Sequence, residues 1–198
     1  MGCSGKIEIC NPVGHSRHRK CIENLIIGLF GAICIIMLVP IGVSAQVPRY
    51  SVDSVELYVY RDGLVHVAQI LTVNETFPDI KIKLMTPEIE NTIVVNEDEA
   101  VLDYKIDGTS MIIFTLGTKR ALVEYDTVVM TQLEAGMWTL ILNSPYNLTT
   151  YFPEGATIIY LDKVPNLIDV EENRTILHLS PGTWEISYLL SVTPTPTP

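Results

Sequence analysis

Residues 54–73 read SVELYVY, then Arg61-Asp62-Gly63, then LVHVAQILTV. Two runs rich in β-branched and aromatic residues, joined through Asp-Gly, are a strong hairpin signal, because glycine accepts the positive φ of a tight turn. The device recurs at 101–116, where VLDYKI and SMIIFTL flank Asp107-Gly108. Further strand-like runs are DIKIKLM (79–85), NTIVVN (91–96), RALVEYDTVVM (120–130), MWTLIL (137–142), ATIIYL (156–161), TILHL (175–179) and WEISYLL (184–190). Thr86-Pro87, Gly117-Thr118, Ala135-Gly136, Pro153-Glu154-Gly155 and Pro181-Gly182 punctuate them. No window shows the period of an amphipathic helix, although LMTPEIENT (84–92) has room for one short turn. This spacing predicts an all-β domain over residues 46–191, a two-layer antiparallel β-sandwich. The strand order does not follow from the pattern.

The chain upstream is of another kind. Residues 25–48 hold no charge, and at ~1.5 Å per helical residue such a run can span the ~30 Å hydrocarbon core of a bilayer. Its dense apolar part, residues 25–39, stops at Pro40, and Gly42 and Val43-Ser44-Ala45 precede Gln46. A compact apolar run, a helix breaker and small residues mark a signal peptide, cleaved between Ala45 and Gln46. The long leader keeps a second reading open, an uncleaved hydrophobic helix that anchors the chain in the membrane through residues 25–45. Arg17, Arg19 and Lys20 hold the N-terminus in the cytoplasm, so both readings place Gln46 onward outside, extracellular or at the cell surface. Residues 1–45 are thus a signal peptide or an N-terminal anchor. Residues 192–198, which end in TPTPTP, form an extended Thr-Pro stalk, because proline fixes φ and removes a hydrogen-bond donor.

Charge and cysteines narrow the partners. From Gln46 onward nine Lys and Arg stand against 21 Asp and Glu, a net charge of −12, while residues 1–45 carry +2. So acidic a segment repels phosphate backbones, which argues against a nucleic-acid partner and leaves cations, basic partners or plain solubility. Cys3, Cys10, Cys21 and Cys34 all precede Ala45. The exported part has no disulfide and must rely on its core, for which ~140 residues suffice. MGCSGK carries Lys6 where a myristoylation signal needs Ser or Thr. Cys10, His15, His18 and Cys21 match no common zinc-finger spacing.

The search for catalytic chemistry is mostly negative. The sequence has no G-x-S-x-G elbow, no phosphate loop and no H-E-x-x-H. The exported part has two histidines, His66 and His178, each inside a strand pattern and more simply read as a strand residue than as a base. NEDEAVLD (96–103) and DVEEN (169–173) gather carboxylates without the EF-hand register, so solvated turns are the simpler reading and calcium the sharper one. No cofactor, metal site or enzymatic activity is expected. Asn74, Asn147 and Asn173 each begin an Asn-x-Thr glycosylation sequon. Trp138 and Trp184 open strands after Gly-containing turns, and Tyr146, Tyr151 and Phe152 lie nearby. Core packing is the plain reading of these aromatics, and a platform for sugar rings is the sharper one.

In order along the chain, SVELYVYRDGLVHV, ALVEYDT, MWTL, YFPEGATIIYL and PGTWEISYLL resemble an uncharacterised extracytoplasmic β-sandwich domain of archaeal secreted or membrane-anchored proteins. The resemblance covers about residues 50–191. It implies a sandwich behind a signal peptide; some relatives add a later membrane helix, and some of those a cytoplasmic winged helix. This sequence has neither, so a direct regulatory role is not expected, and the resemblance implies no catalytic residues. Two functional expectations follow. One is a non-enzymatic, exported cell-surface or envelope module for adhesion, envelope structure or protein interaction. The other is an extracytoplasmic ligand-binding or sensory domain, most plausibly for glycans. An exported hydrolase is the least supported reading.

Overall fold

The computed structural model describes residues 47–191. The signal or anchor segment, the Ala45–Gln46 junction, the four cysteines and the Thr-Pro tail lie outside the described residues.

The described chain is all-β, and no helix occurs in it. Its strands are β1 (Tyr50–Val59), β2 (Val65–Val73), β3 (Asp79–Lys83), β4 (Glu90–Asn96), β5 (Tyr104–Asp107), β6 (Ser110–Phe114) and β7 (Arg120–Thr127). They continue with β8 (Thr131–Glu134), β9 (Met137–Ser144), β10 (Leu148–Tyr151), β11 (Ala156–Leu161), β12 (Leu167–Glu171), β13 (Arg174–Leu179) and β14 (Gly182–Leu190). Every run expected from the sequence contains or overlaps a strand. The short turn of helix allowed in LMTPEIENT is absent. Residues 84–89 form an irregular crossing instead, held where Met85 N donates to the Tyr125 hydroxyl at 3.3 Å and Thr127 Oγ1 donates to the Glu88 carbonyl at 2.8 Å.

Three sheets form. One has seven strands in the order β12-β13-β10-β1-β2-β7-β4, one has four in the order β11-β14-β9-β8, and one has three in the order β3-β6-β5. The pairing departs from the purely antiparallel expectation once: β1 and β10 run parallel, with Tyr58 beside Tyr151. A parallel pair cannot be closed by a tight hairpin, and here everything from β2 to β9 lies between its members.

Period-two alternation builds the core. In β2, Val65, Val67, Leu71 and Val73 are buried, and in β7 Ala121, Val123 and Tyr125 are. β1 changes face partway along. Tyr50 and Val52 pack against the core before a bulge at Asp53, and Val55, Leu57 and Val59 do so after it. One extra residue shifts which side chains face inward, and the bulge keeps both halves of the strand apolar on the core side. Ile80, Ile82, Met111 and Ile113 from the three-stranded sheet and Leu140, Leu142, Trp184, Ile186 and Tyr188 from the four-stranded sheet join the same cluster. Fully burying one such aliphatic side chain stabilises the fold by ~1.5–3 kcal/mol. The core therefore carries stability without any disulfide in the described residues.

Candidate functional site

The face of the seven-stranded sheet opposite the core carries most of the chemistry. Alternation that buries Val55, Leu57 and Val59 sends Glu56 and Tyr58 to that outer face. Register then aligns side chains across strands. Asp126, His66, Tyr58, Tyr151, Ile176 and Asp169 are successive partners from β7 through β2, β1, β10 and β13 to β12. The adjacent row is Glu124, Ala68, Glu56, Thr149, His178 and Leu167.

The Tyr58 and Tyr151 rings stack with centroids 4.6 Å apart and planes 5° from parallel. The parallel pairing of β1 and β10 makes this stack, because it sets the two tyrosines side by side. Tyr58 donates its hydroxyl to Glu56 Oε2 at 2.6 Å. That bond to a carboxylate, with partial burial, holds the Tyr58 hydroxyl well above the usual tyrosine range. Burial and the charges of Glu56 and Glu171 also raise Tyr151. Both phenols stay protonated at physiological pH, with the Tyr58 proton committed to Glu56.

Beside the stack lies a cleft of about 520 Å³ lined by Tyr58, Tyr151, Glu154, Glu171, Glu172, Arg174 and Ile176. It combines an aromatic wall, carboxylate acceptors and one guanidinium donor. The β12–β13 turn forms its rim, with Glu172 at φ 48° and Asn173 at φ 63°. Two successive positive φ values are those of a type I′ hairpin turn.

The two histidines share this face but do not meet. They lie on β2 and β13, three inter-strand steps of ~4.8 Å apart. His66 Nδ1 is 2.8 Å from Asp126 Oδ1, and its Nε2 is 3.7 Å from Glu124 Oε1. Asn91 Nδ2 donates to the other Asp126 oxygen at 2.8 Å. His178 Nδ1 is 3.2 Å from Thr149 Oγ1, and its Nε2 is 3.5 Å from Asp169 Oδ2. A hydroxyl, an imidazole and a carboxylate thus follow one another, but on the open sheet, and neither histidine lines the cleft. Among the described residues no group of three or more His, Cys, Asp or Glu is placed to hold a metal ion.

The acidic turns are structural in part. Asn96 Oδ1 accepts from Asp98 N at 3.0 Å and Ala100 N at 2.8 Å. The Glu97 carboxylate accepts from its own backbone N–H and from those of Arg120 and Lys119, which lowers its pKa. The sequons fall at strand ends. Asn147 and Asn173 are exposed, whereas Asn74 is half-buried and its Oδ1 accepts from the Thr76 hydroxyl at 2.7 Å.

Of the aromatics singled out in the sequence, Trp184 and Phe152 are fully buried. Trp184 Nε1 donates to the Ser180 carbonyl at 2.8 Å. Trp138 and Tyr146 are partly buried against the core. Tyr151 alone reaches the outer face, and its partner there is Tyr58. Tyr58 was legible from alternation within SVELYVY, where Glu56 and Tyr58 share the parity opposite the valines.

No family model and no curated protein matches the chain. Among solved structures it is similar to an M1 zinc metallopeptidase from Deinococcus radiodurans, at 12% identity and a TM-score of 0.42, over 70% of this chain and 42% of that one. A mutant of that enzyme bound to a Tyr-Ser-Ala substrate gives 13% identity and the same TM-score and coverage. This chain spans about two-fifths of the length of those proteins, and a likeness so distant carries nothing about zinc or peptide cleavage.

Proposed function

We propose that this chain is an exported, non-catalytic β-sandwich module of the cell surface or envelope. It works by recognition, as in adhesion, and a glycan is its best-supported ligand. The outer face of the seven-stranded sheet is the recognising surface. The Tyr58–Tyr151 stack beside the 520 Å³ cleft carries the reading. Tyr58 has the His66 ring 6.1 Å away on its other side, tilted by 49°, and both tyrosines line the cleft. An aromatic face covers the C–H side of a sugar ring, while Glu154, Glu171, Glu172 and Arg174 meet its hydroxyls. The uncharged run at residues 25–48, behind Arg17, Arg19 and Lys20, supports the same setting.

A glycan array probed with the labelled protein and with Tyr151→Ala tests the ligand. Hits that vanish in the variant support the reading, and a blank array with folded protein removes it. The N-terminus and intact mass of the native protein, taken from medium and from membranes, test export. A chain beginning at Gln46 in the medium marks a cleaved signal, and an intact chain held in membranes marks an anchor. An intact chain in the cytoplasm defeats both.

A further inference from the structure

β12 is an end strand of the seven-stranded sheet and β11 is an end strand of the four-stranded sheet. Between them opens an apolar cleft of about 280 Å³, lined by Ile158 and Leu161 of β11, Ile168 and Val170 of β12, and Leu177 of β13. All five residues of β12 are exposed, with Ile168 at 55% and Val170 at 70%. Among the described residues β12 pairs with β13 on one side only, so its other edge presents N–H and C=O groups without a partner there.

Alternation sends Ile168 and Val170 to one side of β12 and Leu167, Asp169 and Glu171 to the other. Ile168 and Val170 lie on the core side, opposite Leu177 and Thr175 of β13. Asp169 and Glu171 lie on the outer side, continuing the row that ends at the tyrosine cleft. Edges are guarded by shortness, charge, proline, an inward-turned charge or a cover; β12 is short, at five residues, and keeps its charges on the outer side. It turns two large aliphatic side chains inward and leaves them half in water.

We infer that β12 is a docking edge for an extended segment of a basic partner protein, one that alternates apolar and Lys or Arg residues. Added beside β12, such a segment completes the backbone ladder. Its apolar side chains fill the cleft over Ile168 and Val170, and its basic ones face Asp169, Glu171 and Glu172. The net charge of −12 from Gln46 onward favours the encounter. Two other occupants fit worse. A second copy pairing antiparallel about the strand centre sets Asp169 against Asp169, and like charges directly opposite destabilise. The chain's own TPTPTP tail lacks a donor at every second residue. The inference shares Glu171 and Glu172 with the tyrosine cleft but rests on the β12 edge and not on the glycan reading.

The test mixes the full chain with a synthetic heptapeptide of alternating lysine and valine and reads hydrogen exchange at residues 167–171. Those amides should slow by about tenfold or more, because exchange reports the added ladder bonds. An alternating glutamate–valine peptide, or the lysine–valine peptide methylated at its backbone nitrogens, should protect nothing. Val170→Lys, at an exposed site, should abolish protection with the circular dichroism spectrum unchanged. The pair Asp169→Lys and Glu171→Lys should transfer protection to the glutamate–valine peptide. Equal protection by both peptides, protection by neither, or full protection in Val170→Lys overturns the inference. Doubling of the mass of the chain alone, with the same amides protected, overturns it in favour of a second copy.

Discussion

The Trp138 ring lies over Gly63, so close that a Cβ built on that glycine would sit 2.4 Å from the indole. The turn between β1 and β2 is thus fixed from two sides, by its own φ of +90° and by the strand start that packs on it.

The two Asp-Gly turns, alike in sequence, differ here, and substitution should separate them. Gly108 has φ +58° and, among the described residues, nothing within 4 Å of its missing Cβ. Gly108→Ala should cost about 1–2 kcal/mol, the strain of a left-handed L-residue. Gly63→Ala should cost clearly more, about 3 kcal/mol or above, since the indole must also move. Urea denaturation of both variants measures the difference, and equal midpoints would refute the packing argument.

Alkali should unfold the protein over a defined window. Burial raises Tyr125, Tyr188 and Tyr50 to about 12. In the unfolded chain tyrosine ionises near ~10, so the unfolded state loses its protons first. Stability from these groups is fully present below pH ~10 and is lost as pH rises through the folded values. Melting temperature should stay flat up to about pH 9–10 and then fall steeply. The buried Tyr188 hydroxyl has no hydrogen-bond partner among the described residues. Tyr188→Phe should therefore melt no lower than the parent at pH 7 and lose less at pH 11. A lower melting temperature for that variant at pH 7 counts against an orphaned hydroxyl.

Core and platform aromatics should part company on alanine substitution. Trp184, fully buried, should lose about 3–5 kcal/mol as Trp184→Ala. Tyr151→Ala on the outer face should lose much less stability and all glycan binding. A Tyr151→Ala variant that binds glycans at parental affinity places the ligand elsewhere.

The buried amide of Gln69 offers a stabilising change. Gln69 sits on the core side of β2 with its Nε2 unpartnered among the described residues. Gln69→Leu removes that group and should raise stability by about 1–3 kcal/mol in a denaturant titration. A loss would mean that the amide is satisfied in solution.

Glycopeptide mass spectrometry should find the exposed Asn147 and Asn173 occupied more fully than the half-buried Asn74. The reverse order would show that local exposure does not govern modification.

Strands with apolar residues on one parity were legible in the sequence, and so was the all-β class. The strands that escaped notice were β8, β10 and β12. β10 reads LTTY, four residues with hydroxyls on both faces, and gives almost no hydrophobic signal. β12 ends inside DVEEN, read in the sequence as an acidic loop, and its strand character comes from pairing with β13 rather than from burial. These two strands carry Tyr151 and the open edge. The site was hidden because it is assembled by pairing between distant segments, which no local pattern encodes. His66 and Asp126 show the same limit: each sits in a legible strand, yet their contact depends on the β2–β7 register.

The parallel pairing of β1 with β10 also sets an order of events. Tyr58 and Tyr151 lie some ninety residues apart, so their strands meet only after the intervening chain has been placed. Such long-range closure slows folding. A chain emerging N-terminus first has β1 and β2 ready as a hairpin, while the far side of β1 stays bare until residue 151 appears. A truncation just after β9 would leave that bare side permanently exposed, and such a fragment should aggregate although most of its core residues are present.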